Sequence, residues 1–142
     1  MYRFLECTAE QYMTRRVVTV TRQTTMRELE ALFEKHDFNS FPVVEKGTIL
    51  EIITKFDFLR AFAFTTGQMV SHYDELMRRP VGEMMTEAVV HVVPEAPLTR
   101  VLQLMVSLKS RSFPVMGADH QLVGMISRED VIRALKDATR DD

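Results

Sequence analysis

Sliding the chain by 72 positions brings its two halves into register, and this internal repeat constrains the fold more than any single motif. Met13, Thr14, Val17, Val18 and Val20 fall on Met85, Thr86, Val89, Val90 and Val92, and Leu32 falls on Leu104. Ser40-Phe41-Pro42-Val43 falls on Ser112-Phe113-Pro114-Val115. One added residue in the second half makes the offset 73, which places Ile53, Asp57, Arg60 and Ala61 on Ile126, Asp130, Arg133 and Ala134. The chain therefore carries two copies of one supersecondary unit.

Each copy opens with a short helical turn; in the first, Thr8-Ala9-Glu10-Gln11 has the Thr-x-x-Gln spacing of a capping box. The β-branched runs Val17–Val20 and Val89–Val93 predict a strand. A helix follows, with Thr25-Met26-Arg27-Glu28 as a capping box and Met26, Leu29, Leu32 and Phe33 on one face. In the second copy Pro97 starts that helix, and Leu98, Val101, Leu102, Met105 and Leu108 form its apolar face. Two strands joined by short turns come next, Phe41–Glu45 with Ile49–Ile53 and Phe113–Met116 with Leu122–Ile126. A last helix carries Phe58, Leu59 and Phe62, or Val131, Ile132 and Leu135. The expectation is an α+β fold of two β-α-β-β-α repeats, 8–64 and 80–137, joined by a linker helix at 65–79. Because a unit of about 60 residues buries too little surface alone, the repeats are expected to pack sheet to sheet with pseudo-two-fold symmetry.

Composition narrows the function classes. With 142 residues the chain holds one domain or two small ones, and 46% apolar residues with only 5 Gly and 5 Pro suffice for a core. A net charge of −2 gives no global drive toward nucleic acid or anionic membrane. The single cysteine, Cys7, excludes a disulfide framework and multi-cysteine metal sites and suits a cytoplasmic setting. No apolar run reaches the roughly 18 to 20 residues of a membrane span, and neither a signal peptide nor an anchor is expected.

The turn from the last strand into the last helix is the most informative chemically. It reads Thr54-Lys55-Phe56-Asp57 in one copy and Ser127-Arg128-Glu129-Asp130 in the other, a hydroxyl at the helix start and a carboxylate three residues on. The helix start offers free N–H groups to a phosphate, the hydroxyl adds a donor, the carboxylate can accept from a ribose diol, and Lys55 or Arg128 adds positive charge. The same pattern is also a helix N-cap, so capping alone remains an open reading.

The chain resembles the tandem cystathionine-β-synthase (CBS) domain pair, or Bateman module, from about Thr8 to Leu135. The carriers are Met13-Thr14 and Met85-Thr86, the valine-rich runs, Phe41–Val43 and Phe113–Val115, and the closing Gly124, Ser127 and Asp130. The resemblance implies a regulatory module that binds AMP, ADP, ATP or S-adenosylmethionine in clefts between the repeats and often dimerises. It implies that Thr54 and Ser127 meet phosphate and that Asp57 and Asp130 meet ribose. It further implies that the base lies against Val18, Thr19 and Val20 with Phe41 and Pro42, and against Val90, His91 and Val92 with Phe113 and Pro114. The first copy departs from the motif at Glu51, where glycine is expected. A carboxylate there would repel a phosphate, so the second site is expected to be the stronger.

His36, His72, His91 and His120 share no metal-ligand spacing, so no metal is expected. Arg111 either reaches a phosphate or is an exposed loop residue. Met26, Met77, Met105 and Met125 sit at core-like positions. No nucleophile, base and orienting group assemble, and no enzymatic activity is expected. The leading expectation is a cytoplasmic energy or metabolite sensor that signals to a protein partner, without cofactor, membrane or nucleic acid. The alternative is a ligand-free dimerisation or interaction module. Phe56, Phe58, Phe62 and Phe64 exceed what one helix face buries, which points to a homodimer interface.

Overall fold

The structure is a computed structural model that describes residues 2–63, 69–85 and 90–140. Its elements run α1 (Tyr2–Leu5), α2 (Ala9–Tyr12), α3 (Met26–Lys35), β1 (Ser40–Glu45), β2 (Thr48–Thr54), α4 (Lys55–Ala63), α5 (Met69–Arg78), α6 (Leu98–Leu108), β3 (Ser112–Met116), β4 (Leu122–Ser127) and α7 (Arg128–Arg140). The start of the expected linker helix, Thr65 to Gln68, lies outside the described residues, as do Phe64, Thr86 and Val89.

Two compact units result: Met1–Val17 with Val90–Asp142, called the terminal unit below, and Val18–Val89, the central unit. Their borders differ from the repeat borders because each unit takes in the segment that precedes the other copy. In the terminal unit Ala9 donates to the Ala96 carbonyl at 2.9 Å and Leu98 to that of Cys7 at 3.0 Å. In the central unit Met26 donates to Arg79 at 2.9 Å and Val81 to Thr24 at 2.7 Å. The helix α1 was not expected from the sequence; Phe4 anchors it, 3% exposed in the terminal core.

Each unit holds one two-stranded antiparallel sheet, β1-β2 or β3-β4. Lys46 and Gly47, with φ of 52° and 80°, turn β1 into β2 through the two positive-φ residues that match strand twist. Both hairpins slip register at equivalent points, Val43/Val44 and Val115/Met116.

The α+β class and the element order hold, but the leading strand of each copy contracts to a single bridged residue. Val20 pairs in parallel with Val43, donating to Pro42 at 2.9 Å and accepting from Val44 at 2.8 Å. Val92 pairs with Val115 in the same way, through Pro114 and Met116 at 3.0 and 2.9 Å. Extending either ladder by two residues requires Pro42 to donate to the Val18 carbonyl, or Pro114 to that of Val90. Proline has no N–H, so pairing stops there.

Phe41, Val43, Ile53, Met26, Leu29 and Met77 are buried in the central core. Phe113, Val115, Ile126, Leu98, Val101 and Met105 are their counterparts in the terminal core. The Thr25 capping box forms as the spacing predicts: the Glu28 N–H donates to Thr25 Oγ1 and the Thr25 N–H to Glu28 Oε1, both at 3.1 Å. Leu108 departs from its expected core place and is 49% exposed, because α6 ends there and Lys109 turns to a left-handed φ of 54°. On α4 the Phe58 and Phe62 rings pack together with centroids 5.3 Å apart, and Phe56 is 69% exposed.

The terminal unit holds one further backbone contact. Thr14 and Met125 exchange backbone hydrogen bonds of 2.8 and 2.9 Å, laying the Met-Thr segment along β4 beside Gly124. A Cβ on Gly124 would stand 2.8 Å from both the Thr14 oxygen and Met13 Sδ. Gly124→Ala is therefore expected to lower stability by about 1–3 kcal/mol in urea denaturation and to speed amide exchange at Thr14 and Met125. Unchanged exchange at both amides would refute this account of the glycine.

Candidate functional site

The strand-to-helix turn of the terminal unit is closed on itself. Both the N–H and the hydroxyl of Ser127 donate to Asp130 Oδ2, at 2.9 and 3.0 Å, and the Asp130 N–H donates back to Ser127 Oγ at 3.3 Å. Asp130 is only 4% exposed, so its charge needs a counter-charge, and Arg133 Nη1 supplies it at 3.2 Å from Oδ1. Arg133 also donates to the Tyr12 carbonyl at 2.9 Å and lies 5.5 Å from the centroid of that ring. The Tyr12 hydroxyl in turn donates to Asp137 at 3.0 Å. Burial, and then the hydrogen bond to Asp137, push the Tyr12 phenol above its ordinary pKa.

The central unit repeats the turn with looser surroundings. Thr54 donates its N–H and hydroxyl to Asp57 Oδ2 at 2.9 and 3.0 Å, the Asp57 N–H returns to Thr54 Oγ1 at 3.0 Å, and Arg60 pairs with Oδ1. The Asp57 side chain keeps 20% of its surface exposed, against 6% for Asp130. It opens on a cavity of about 330 Å³ that Arg60, Arg79, Glu83 and Met84 also line. At the 72-residue offset Met84 corresponds to Tyr12, so the more exposed carboxylate is in the unit without the tyrosine link.

Glu51 is engaged within its own strand. Its Oε1 accepts the Ile52 N–H at 3.0 Å. In the other unit the equivalent amide, Met125, donates to Thr14, so the carboxylate of Glu51 takes the place of a neighbouring backbone carbonyl.

The remaining candidate residues divide by burial. Phe41, Pro42, Phe113 and Pro114 are buried, so a base could meet them only through their backbone. Val20 and Val92 are buried, Val18 is half-buried, and Thr19, Val90 and His91 are exposed. None of these lines the cavity beside Asp57. Lys55 is exposed, with Nζ 5.8 Å from the Phe33 centroid, and Arg128 faces a groove between α6 and α7. Arg111 is exposed and lines the same groove. Among the described residues no cluster of His, Cys, Asp or Glu could hold a metal, and no helix is long and apolar enough to cross a membrane. Sequence reasoning assigned no role to Arg60, Arg133, Tyr12 or Arg79. For the first two the signal was present, since Asp57-Arg60 and Asp130-Arg133 have the i,i+3 spacing of helical ion pairs.

The family model for the CBS domain matches residues 9–64 and 81–137. The protein MJ0188 of Methanocaldococcus jannaschii is 32% identical over 126 residues, 87% of this chain and 42% of its own length. The chain thus spans less than half of this relative and of MJ1225 from the same organism, of which it covers 47%. Among solved structures, CBSX2 of Arabidopsis thaliana in complex with AMP superposes with a TM-score of 0.80 at 24% identity, over 94% of this chain and 98% of that one. The CBS domain pair of MJ0100, in complex with 5'-methylthioadenosine and S-adenosyl-L-methionine, does so with a TM-score of 0.78 at 21% identity, over 94% and 98%. The structural likeness is one of fold.

The burial difference makes the two aspartates unequal as stabilising residues. Asp130→Ala is expected to cost about 2–4 kcal/mol, as a lost cap plus lost bonds to a charged group, and Asp57→Ala about 1–2 kcal/mol, in denaturant titration. Equal losses would contradict it. The raised phenol pKa of Tyr12 means that the folded state holds this proton more tightly than the unfolded one. Its stabilising effect is complete below pH 10.0 and is lost as pH rises through the folded value. Tyr12→Phe is therefore expected to show a shallower decline of stability than wild type as pH rises above 10.0, and parallel curves would refute the assignment.

Proposed function

The chain belongs to the CBS-domain family as a tandem pair, and from that premise we propose that it is a regulatory module that binds an adenosyl ligand of the AMP, ADP or ATP class and signals its occupancy to a protein partner. In this reading it acts in the cytoplasm as an energy or metabolite sensor, works as a homodimer and catalyses no reaction. The observation that carries the reading is the cavity at the Thr54–Asp57 turn, where a partly exposed carboxylate for a ribose diol adjoins the guanidinium groups of Arg60 and Arg79. Thr54 and Lys55 supply the hydroxyl and cation for phosphate. Ser127, Arg128 and Asp130 are the equivalents in the terminal unit. The base is assigned to the backbone of Val18, Thr19 and Val20 beside Phe41 and Pro42, and of Val90, His91 and Val92 beside Phe113 and Pro114. Support comes from the prolines, which leave the Val18 and Val90 carbonyls to a partner outside the sheet.

In this reading exposure ranks the Asp57 site first, where the charge of Glu51 alone ranks it second. Asp57 is the more reachable carboxylate, and Glu51 is engaged with Ile52. The second reading, an interaction module whose turns are only caps, is favoured by one fact: each carboxylate already meets three donors.

A thermal-shift panel of AMP, ADP, ATP and S-adenosylmethionine separates the two. A true ligand at 100 times its dissociation constant is expected to add about 2.7 kcal/mol to wild type, and Asp57→Ala to lose more of that gain than Asp130→Ala. If no compound shifts the wild type, the interaction module becomes the reading.

A further inference from the structure

The cavity beside Asp57 carries a charge pattern that the repeat explains. Two acids and two bases line it, Asp57 and Glu83 against Arg60 and Arg79, so the formal charge of its lining is zero. Both guanidinium groups are already committed to carboxylates: Arg60 pairs with Asp57, and Arg79 Nη2 lies 3.3 Å from Glu75 Oε1. Hydrogen bonds from His72 and Arg79 hold the Glu75 carboxyl below the usual carboxylate range, so this partner of Arg79 is ionised at neutral pH. Glu83 is the exception, since among the described residues no ion pair or hydrogen bond engages its carboxylate. One proline accounts for this. In the terminal unit the Thr8 N–H donates to Gln11 Oε1 at 3.1 Å, the return bond of a capping box. At the 72-residue offset Thr8 and Gln11 become Pro80 and Glu83. Pro80 has no N–H to donate, so the acid three residues on has no return bond to make and lines the cavity instead.

We propose that Glu83 is a charge filter for the Asp57 site, so that this site takes an adenosine monophosphate in preference to the triphosphate. The inference rests on the adenosyl-ligand reading above and adds the rule by which that ligand is chosen. Thr54 Oγ1, the phosphate donor in that reading, lies 3.0 Å from Asp57 Oδ2, so phosphate charge gathers beside the cavity that Glu83 lines. Charges at such separations are only partly screened, because the Debye length is about 8 Å at physiological salt. One phosphate group carries about −1.5 to −2, which Lys55 answers in part. Each further phosphate adds charge for which the lining holds no uncommitted cation, and the Glu83 carboxylate opposes it.

The test is titration with AMP and with ATP in magnesium-free buffer, read by NMR at the Met84 methyl group of methyl-labelled protein. Met84 lines this cavity, so its signal reports this site, and Met84→Leu identifies it. Wild type is expected to bind AMP about 10-fold more tightly than ATP, and Glu83→Gln to erase most of that ratio by gaining affinity for ATP. Glu83→Asp, which keeps the charge, is expected to retain the preference. Glutamine already stands at the equivalent position of the other unit, as Gln11. An unchanged ratio in Glu83→Gln, a wild type that binds ATP as tightly as AMP, or a Met84 signal moved by S-adenosylmethionine alone overturns the filter and leaves the adenosyl-ligand reading standing. The wild-type ratio needs no variant, so it decides the matter even where Glu83→Gln fails to fold. If no compound of the thermal-shift panel moves the Met84 signal or the melting temperature, the adenosyl-ligand reading falls and the filter with it.

Discussion

The terminal unit is organised around one buried charge. A carboxylate at 4% exposure is tolerable only when donors and a counter-ion meet it, and the Asp130 position satisfies this through Ser127 on one oxygen and Arg133 on the other. The geometry that results fixes more than the charge. It forces β4 to end and α7 to begin at one residue, since the cap needs Ser127 extended and Asp130 helical. It also directs the guanidinium of Arg133 to the carbonyl of Tyr12, so that an N-terminal segment more than a hundred residues away in sequence is tied to the helix that bears the charge.

The repeat gives both units one plan, and single residues then separate them. Gly124 lets Thr14 lie against β4, whereas Glu51 supplies the Ile52 amide with an acceptor from its own side chain. Tyr12 links α2 to α7 through its carbonyl to Arg133 and its hydroxyl to Asp137, whereas Met84, its counterpart, has no hydroxyl for the second link and lines a cavity instead. The carboxylate beside the tyrosine is the more buried of the two. A hydrophobic core is indifferent to such changes, because they fall on residues at its rim. Duplicated halves can therefore diverge in access and surface charge while Phe41 and Phe113 remain equally buried.

Much of this was legible before any coordinates. The Phe-Pro-Val elements and capping boxes fall where periodicity and spacing put them, because both are local: a proline, a hydroxyl and an acid at fixed offsets act through their own backbone. The leading strand was misjudged for a reason that is not local. Val17 to Val20 have every propensity for a strand, but pairing needs a donor from the facing strand, and that strand presents Pro42. Glu51 shows the same limit: its charge is visible in the sequence, but the hydrogen bond that it accepts from the Ile52 amide is not. Burial explains the remaining gap: turns equivalent in pattern differ in exposure, and the residue beside each, Tyr12 or Met84, comes from a distant segment.

Capping and ligand binding need not exclude one another at these turns. Of the bonds that close each turn, the N–H groups are fixed by the backbone, but the hydroxyl of Ser127 or Thr54 is a rotor with one proton and two acceptor lone pairs. Turning that proton from the carboxylate toward a phosphate oxygen gives up one side-chain hydrogen bond, worth about 0.5–1.5 kcal/mol net, and vacates an acceptor site on the same Oδ2. A ribose hydroxyl entering that site restores the count, so the exchange is nearly neutral for the protein and requires no movement of the helix. The backbone bond to the carboxylate and the Arg60 or Arg133 pair persist throughout. What then distinguishes a turn that serves as a site from one that serves only as a cap is whether a ligand can approach the rotor. Access is the property in which the Asp57 and Asp130 turns differ.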